Sequence, residues 1–372
     1  IGSFWSMLSV GLFDLFIYSY LPLGDAWLHE EWHRAVLAHR NIQSYNEVYE
    51  FDFFATVIKV SHVKDEDLIR LKRRYPSDMV RLSEAGIEAQ YELTKSGRMD
   101  FFFSNHRMDY EIFNWWLNIA NSIAYIHLCT TDEADKETDV INRNEETIEE
   151  RDFVGLDFTA WVYDLFRPDE PYENRGVHPS GKGIDRYIKH SDLSDEEKQF
   201  LKTQFYLSLL NLVSPQLIGI NRLKGRNPLS GQKFYWNTMI LHYLTSFGYA
   251  IDVNVMYKES KYNFLFTYHN YANFHRYFPG MDVSLIRYPT YVAYKKILIT
   301  AIGGCFVQPK NQLVKSRKYT PGVWGSLKLN VPLFSFSELF IKMDGKTKGW
   351  IAGFVDLEEA YRISTGFNLF IF

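Results

Sequence analysis

His29 and His33 stand four residues apart, with Glu30 directly after the first, in the stretch His29-Glu30-Glu31-Trp32-His33. On a helix, positions i and i+4 share a face one turn apart, so both imidazoles can reach one cation. A Zn²⁺ held this way leaves Glu30 placed to take a proton from a water that the metal activates. The chemistry this predicts is metal-dependent hydrolysis, with His29 and His33 as ligands and Glu30 as general base. An exposed helix face can carry the same residues, but the flanks argue for burial. Trp27, Leu28, Trp32, Val36 and Leu37 form a broad apolar surface, and Asp25 is placed to cap a helix starting near Ala26. Two histidines and a glutamate on a buried helix need partners, and a metal would supply one.

A hydrolytic zinc site needs a third protein ligand and an open position. About fifty residues on, Arg81-Leu82-Ser83-Glu84-Ala85-Gly86-Ile87-Glu88-Ala89-Gln90-Tyr91 reads as part of a helix that stops at Gly97. Glu84 and Glu88 share a face there, and two like charges at that spacing ask for a cation between them. Ala85, Gly86 and Ala89 are small enough to let a second helix approach closely. His39 and His62 are alternative third ligands. His39 lies ten residues after His29, as in a metzincin, but Leu37 stands where a glycine would be expected. Glu84 is the better candidate.

HEEWH followed by a Ser-Glu-Ala-Gly-Ile-Glu-Ala helix resembles the gluzincin metallopeptidases, over about Gly24 to Leu93. The resemblance implies Zn²⁺ held by His29, His33 and Glu84, with Glu30 as catalytic base. It also implies that Glu88 acts behind the ligands, fixing a histidine tautomer. Glu88 stands where many relatives have Asp. His178 and Tyr172, in a Pro- and Gly-rich loop, are candidate donors to a developing oxyanion, and nothing in the spacing selects between them.

These residues need helices to hold them, and 24–247 reads as mainly helical. Expected helices run over Ala26–Tyr45, Asp65–Arg74, Asp78–Lys95, Met108–Cys129, Phe153–Phe166, Gly183–His190, Asp195–Leu212 and Phe234–Phe247. Residues 130–152, rich in Glu, Asp, Asn and Thr, read as a solvated excursion. From 248 to 372 the texture changes to apolar–polar alternation. About eight antiparallel strands are expected there, at Tyr249–Tyr257, Tyr262–Phe274, Asp282–Tyr288, Lys296–Val307, Val323–Val331, Glu338–Met343, Gly349–Val355 and Ser364–Phe372. That number can close into a small barrel without free edges.

Composition narrows the setting. At 372 residues the chain has room for two domains, and a net charge of −4 gives no footprint for nucleic acid. Cys129 and Cys305 are too few for a disulfide scaffold and could pair only with each other. Aromatic residues make up 17 % of the chain, which suits a large aromatic core or rings at a membrane interface. Residues 1–23 are mostly apolar and could form a membrane-associated strand or a buried helix. The ending Gly366-Phe367-Asn368-Leu369-Phe370-Ile371-Phe372 resembles the closing strand of bacterial outer-membrane barrels.

The combined expectation is an α+β protein. An N-terminal membrane-associated segment (1–23) is followed by a helical metallopeptidase domain (24–247) and an eight-stranded membrane β-barrel (248–372). Its expected function is a zinc peptidase of the bacterial outer membrane, acting on protein or peptide substrates in contact with outer-membrane lipid. The alternatives are a catalytically silent, metallopeptidase-like subunit of an outer-membrane protein complex, or a soluble enzyme whose strands form a substrate-binding sheet.

Overall fold

In the computed structural model, which describes residues 2–17, 21, 24–50, 58–104, 109–145 and 147–369, eight α-helices precede one large antiparallel sheet. The helices are α1 (Gly2–Phe16), α2 (Asp25–His39), α3 (Asp65–Arg74), α4 (Pro76–Phe103), α5 (Ile112–Cys129), α6 (Glu133–Asn144), α7 (Asp157–Phe166) and α8 (Asp195–Ser208). A two-stranded ladder, β1 (Tyr45–Asn46) with β2 (Val60–Ser61), sits between α2 and α3. Local chemistry sets several ends. Pro76 opens α4, where its missing N–H costs nothing. Ser194 and Glu197 cap α8 reciprocally, each side chain accepting from the other's backbone N–H.

Helix α4 is the axis of the molecule. Its first half is buried on all sides, from Asp78 to Tyr91, against α2, α3 and α7. Its second half enters the concave side of the sheet. There Lys258 donates to the Phe103 carbonyl at 2.5 Å, and the charges of Asp252 and Asp282 act on Lys95 while those of Arg287 and Lys328 act on Asp100. The sheet therefore curves around this helix.

The sheet has nine strands: β3 (Leu223–Arg226), β4 (Lys233–Thr245), β5 (Gly248–Glu259), β6 (Tyr262–Ala272), β7 (Tyr277–Val292), β8 (Lys295–Pro309), β9 (Tyr319–Phe334), β10 (Ser337–Lys346) and β11 (Ala360–Leu369). Each pairs only with its sequence neighbours, so the sheet is a meander whose edges are β3 and β11. The expected barrel closure is not found among the described residues. An eight-stranded barrel has interior room only for side chains. Here α4, a helix about 10–12 Å across, lies on the concave side and packs against β4 and β5. The terminal Phe370-Ile371-Phe372, on which the closing-strand resemblance leaned, lies outside the described residues.

Sidedness is consistent along the sheet. On the face turned from the helices, one row of paired residues crosses five strands as Val253, Tyr268, Met281, Cys305 and Val323. The adjacent inward row is Asn254, Thr267, Asp282, Gly304 and Trp324. A side chain at Gly304 would overlap both Asp282 and Trp324, whose indole N–H donates to the Asp282 carboxylate at 2.7 Å.

Several expected elements differ. Residues 246–247 turn into β5, and 234–245 lie in strand β4 instead of a helix. Its second half is packed on both faces, by α4 within and by α8 and the turns at 209–218 outside, so it lacks the alternation that marks a strand. Residues 184–189 form no helix and are pinned by Arg186, which donates to the Asp65 carboxylate and to the carbonyls of Val63 and Asp152. The 349–355 stretch is a loop. The supposed excursion contains α6, and the sheet begins at Leu223, ahead of the expected boundary at 248. Helix α1 takes the place of a possible N-terminal strand and exposes Phe4 and Trp5. No described helix is long and apolar enough to cross a membrane. Cys129, buried, and Cys305, exposed, are both free thiols.

Candidate metal site

Helix α2 brings His29 and His33 onto one face, their ring centroids 4.8 Å apart. The third group is Asp157, the first residue of α7. Its carboxylate lies 3.2 Å from His29 Nε2 and 3.6 Å from His33 Nε2. Ligand atoms of these three side chains all fall within 4.8 Å of one another, the only such group among the described residues. Among the described residues, no Lys or Arg forms an ion pair with Asp157.

The tautomer of His33 is set. Its Nδ1 is 2.6 Å from the Leu82 carbonyl, which can only accept, so Nδ1 carries the proton and Nε2 turns its lone pair to the site. Burial lowers the His33 pKa to about 4 against the opposing pull of Asp157, which keeps the ring neutral as a metal ligand must be. His29 Nδ1 is buried without a partner among the described residues. The floor of the site is Gly86 on α4, where a Cβ would overlap Nε2 of both imidazoles. The small-residue surface read from the sequence thus has a definite use: glycine leaves room where the two rings converge.

Glu30 faces the same cavity, of about 400 Å³, with His29, His33, Tyr125, Asp152 and Asp157. Burial, then the charges of Asp152 and Asp157, raise the Glu30 pKa well above the usual carboxylate range. Asp152 is raised likewise, by burial and then by Glu145 and Asp157, although its oxygens accept backbone N–H groups of Val60, Phe153 and Gly155. A cavity holding three clustered carboxyl groups and two imidazoles asks for a cation.

Glu84 is not in this group, which corrects the expected third ligand, and Glu88 is not behind the ligands. Their counter-charge is Arg81, on the same helix. Its guanidinium donates to Glu84 Oε1 at 2.7 Å and to both Glu88 oxygens. The 349–355 loop completes this buried cluster, with Trp350 Nε1 donating to Glu84 and the Gly353 N–H to Glu88. Burial still raises Glu84 to about 8, with Arg81 opposing.

The other candidates also lie elsewhere. His39 pairs with Asp356 at 2.7 Å, His62 contacts Ser61, and His178 bonds Ser180. Neither His178 nor Tyr172 lines the cavity. Asp157 and Tyr125 escaped the sequence reading because both are more than ninety residues from the histidines. The available signal was an acidic residue opening a short apolar helix after Gly155-Leu156.

The donor set of two imidazoles and one carboxylate, with a glycine-floored gap, fits a divalent transition metal. No protein-family model, curated protein or solved structure matches this chain.

Proposed function

We propose that this chain is a metal-dependent peptidase of the bacterial outer membrane, with Zn²⁺ held by His29, His33 and Asp157. The observation that carries the reading is the convergence of two imidazole nitrogens and a carboxylate, over a glycine floor, beside buried Glu30. Zn²⁺ bound there supplies Lewis acidity and brings the pKa of a water near neutrality. Glu30 takes the proton from the attacking water and passes it to the leaving amine. Its pKa is raised, first by burial, which strengthens its hold on the proton it must carry to the leaving amine. Tyr125 accepts from the Asp157 N–H at 2.7 Å, which leaves its own proton to donate to the oxyanion as it forms. The same donor set can hold Fe²⁺; the buried carboxyl beside it favours hydrolysis.

The membrane setting rests on the sheet. Outward positions on β9, β10 and β11 carry no charge, and Val323, Leu339, Ile341, Met343, Ile363 and Phe367 are exposed there. The inward positions of β9–β11 carry Lys328, Glu338, Lys342, Asp344, Lys346 and Arg362. Water would favour the reverse, whereas hydrocarbon favours this arrangement. Substrates are then peptides or proteins reachable from that membrane, among them outer-membrane or exported proteins.

The deciding experiment is metal analysis of the purified full chain beside a peptide-library cleavage assay. Stoichiometric zinc with cleavage is expected, and Glu30→Gln should retain the metal and lose the cleavage. Zinc without cleavage would leave a silent subunit of an outer-membrane assembly, and absence of metal affinity would end both readings. Solubility without detergent, together with failure to float with phospholipid vesicles, would remove the membrane setting.

A further inference from the structure

A second cavity, of about 470 Å³, opens along the same helices that frame the metal cavity. Ala26, Gln90 and Asn121 line the metal cavity, whereas Asp25, Leu93 and Asn118 line the second. On α4 and α5 the step is three residues, about 4.5 Å along a helix axis. The two cavities are successive stations beside α2, α4 and α5.

Their chemistry differs. The second has apolar walls from Val10, Phe13, Trp27 and Trp115, and carboxyl groups from Asp25, Asp100 and Glu111. Among the described residues, no Lys, Arg or His lines it. Two buried oxygens there are unspent. Thr94 is 2 % exposed and its hydroxyl has no partner among the described residues. Asn114 Nδ2 donates to Glu111 Oε2 at 3.2 Å, while its Oδ1 has no partner among the described residues. A buried polar atom without a hydrogen bond is costly, and each of these oxygens can accept one.

The three carboxyl groups do not converge at ligand spacing, since the only such group among the described residues is His29, His33 and Asp157. A metal ion is therefore the wrong occupant. Carboxylates dispersed over an apolar wall, with extra acceptors, complement an ammonium group at the end of an aliphatic stem. Lysine presents three donors on such a stem.

We propose that this cavity is a substrate subsite for a lysine side chain, so that the enzyme selects peptides with a lysine close to the scissile bond; calling it a substrate subsite rests on the peptidase reading. Asp100 and Glu111 supply the field, and Thr94 accepts one ammonium proton.

The test is equilibrium binding to full-length Glu30→Gln protein, in which turnover is disabled. Its probes are a fluorescein-labelled alanine–glycine heptapeptide carrying two lysines and the same peptide with both lysines acetylated. The lysine peptide should bind about tenfold tighter, as expected for a hydrogen-bonded charge. Asp100→Asn combined with Glu111→Gln should abolish that difference, and Thr94→Val should reduce it about threefold while Thr94→Ser restores it. Equal affinity for the two peptides, or a difference untouched by these substitutions, would overturn the subsite. Lysine-selective binding by a protein that never cleaves would sink the peptidase reading and leave the pocket standing. Cleavage indifferent to lysine would do the opposite. If the double variant fails to fold, the Thr94 pair decides alone.

Discussion

Two buried histidine–carboxylate clusters among the described residues are in opposite states. In the sheet, His269 sits between Asp252, 2.7 Å from Nδ1, and Asp282, 2.8 Å from Nε2. Both ring nitrogens face carboxylates, and those two aspartates raise the His269 pKa to about 10 against burial. That imidazole is a cation locked in place. Beside α2, His33 spends one nitrogen on a backbone carbonyl and turns the other to a shared gap, and burial lowers it to about 4. The difference lies in what the second nitrogen meets. An imidazole between two carboxylates is saturated and structural, whereas one backed by a carbonyl keeps a lone pair to give.

Breaking each cluster should therefore damage different properties. The largest effect is expected from Glu30→Gln, a loss of about 10³-fold in turnover with metal content unchanged. Equal turnover in the variant would remove Glu30 from the mechanism. Next is His269→Ala, which strands two buried aspartates and should cost about 3–5 kcal/mol in denaturant unfolding, without altering metal affinity. Gly86→Ala sharpens the contrast from the other side. The change should favour helix α4 by propensity yet weaken metal binding by about 10–100-fold, because the new methyl group displaces the imidazoles. Titration calorimetry showing wild-type affinity would mean the gap is not where the ion sits.

The smallest effect is a pH dependence. The folded pKa of His269 is raised above the unfolded value near 6.5. Its stabilisation is thus complete below about pH 6.5 and is lost as pH rises toward 10. Thermal midpoints should fall over that window more steeply in wild type than in His269→Gln. Parallel slopes would show that His269 is not charged in the fold.

How much of this was legible depends on the range over which each feature is encoded. The His29–His33 pair is a local signal, since helical spacing alone places both rings on one face. Asp157 is 124 residues beyond His33 and is brought in by packing that no spacing records. Glu84 looked suitable because its conflict with Glu88 is local too. Its resolution by Arg81, three residues upstream, was equally local, but the guanidinium had to fold back along the helix toward both acids. Alternation revealed most strands from β5 onward because one face differs chemically from the other. It did not mark β4, whose second half is packed on both sides. Whether the sheet closes depends on pairing between its first and last strands, which lie far apart in sequence and which alternation within a strand does not record.

The meander has a kinetic consequence. Every strand from β3 to β11 pairs with the strand made just before or just after it, so each addition closes only a short loop. The sheet can grow hairpin by hairpin, with little entropy spent at any step. Every partial sheet nevertheless displays a raw edge and an apolar outer face, the two features that most promote sticking to other chains. Low-cost growth and high exposure travel together here. The surface on which the sheet is laid down thus matters as much as the order in which its strands emerge.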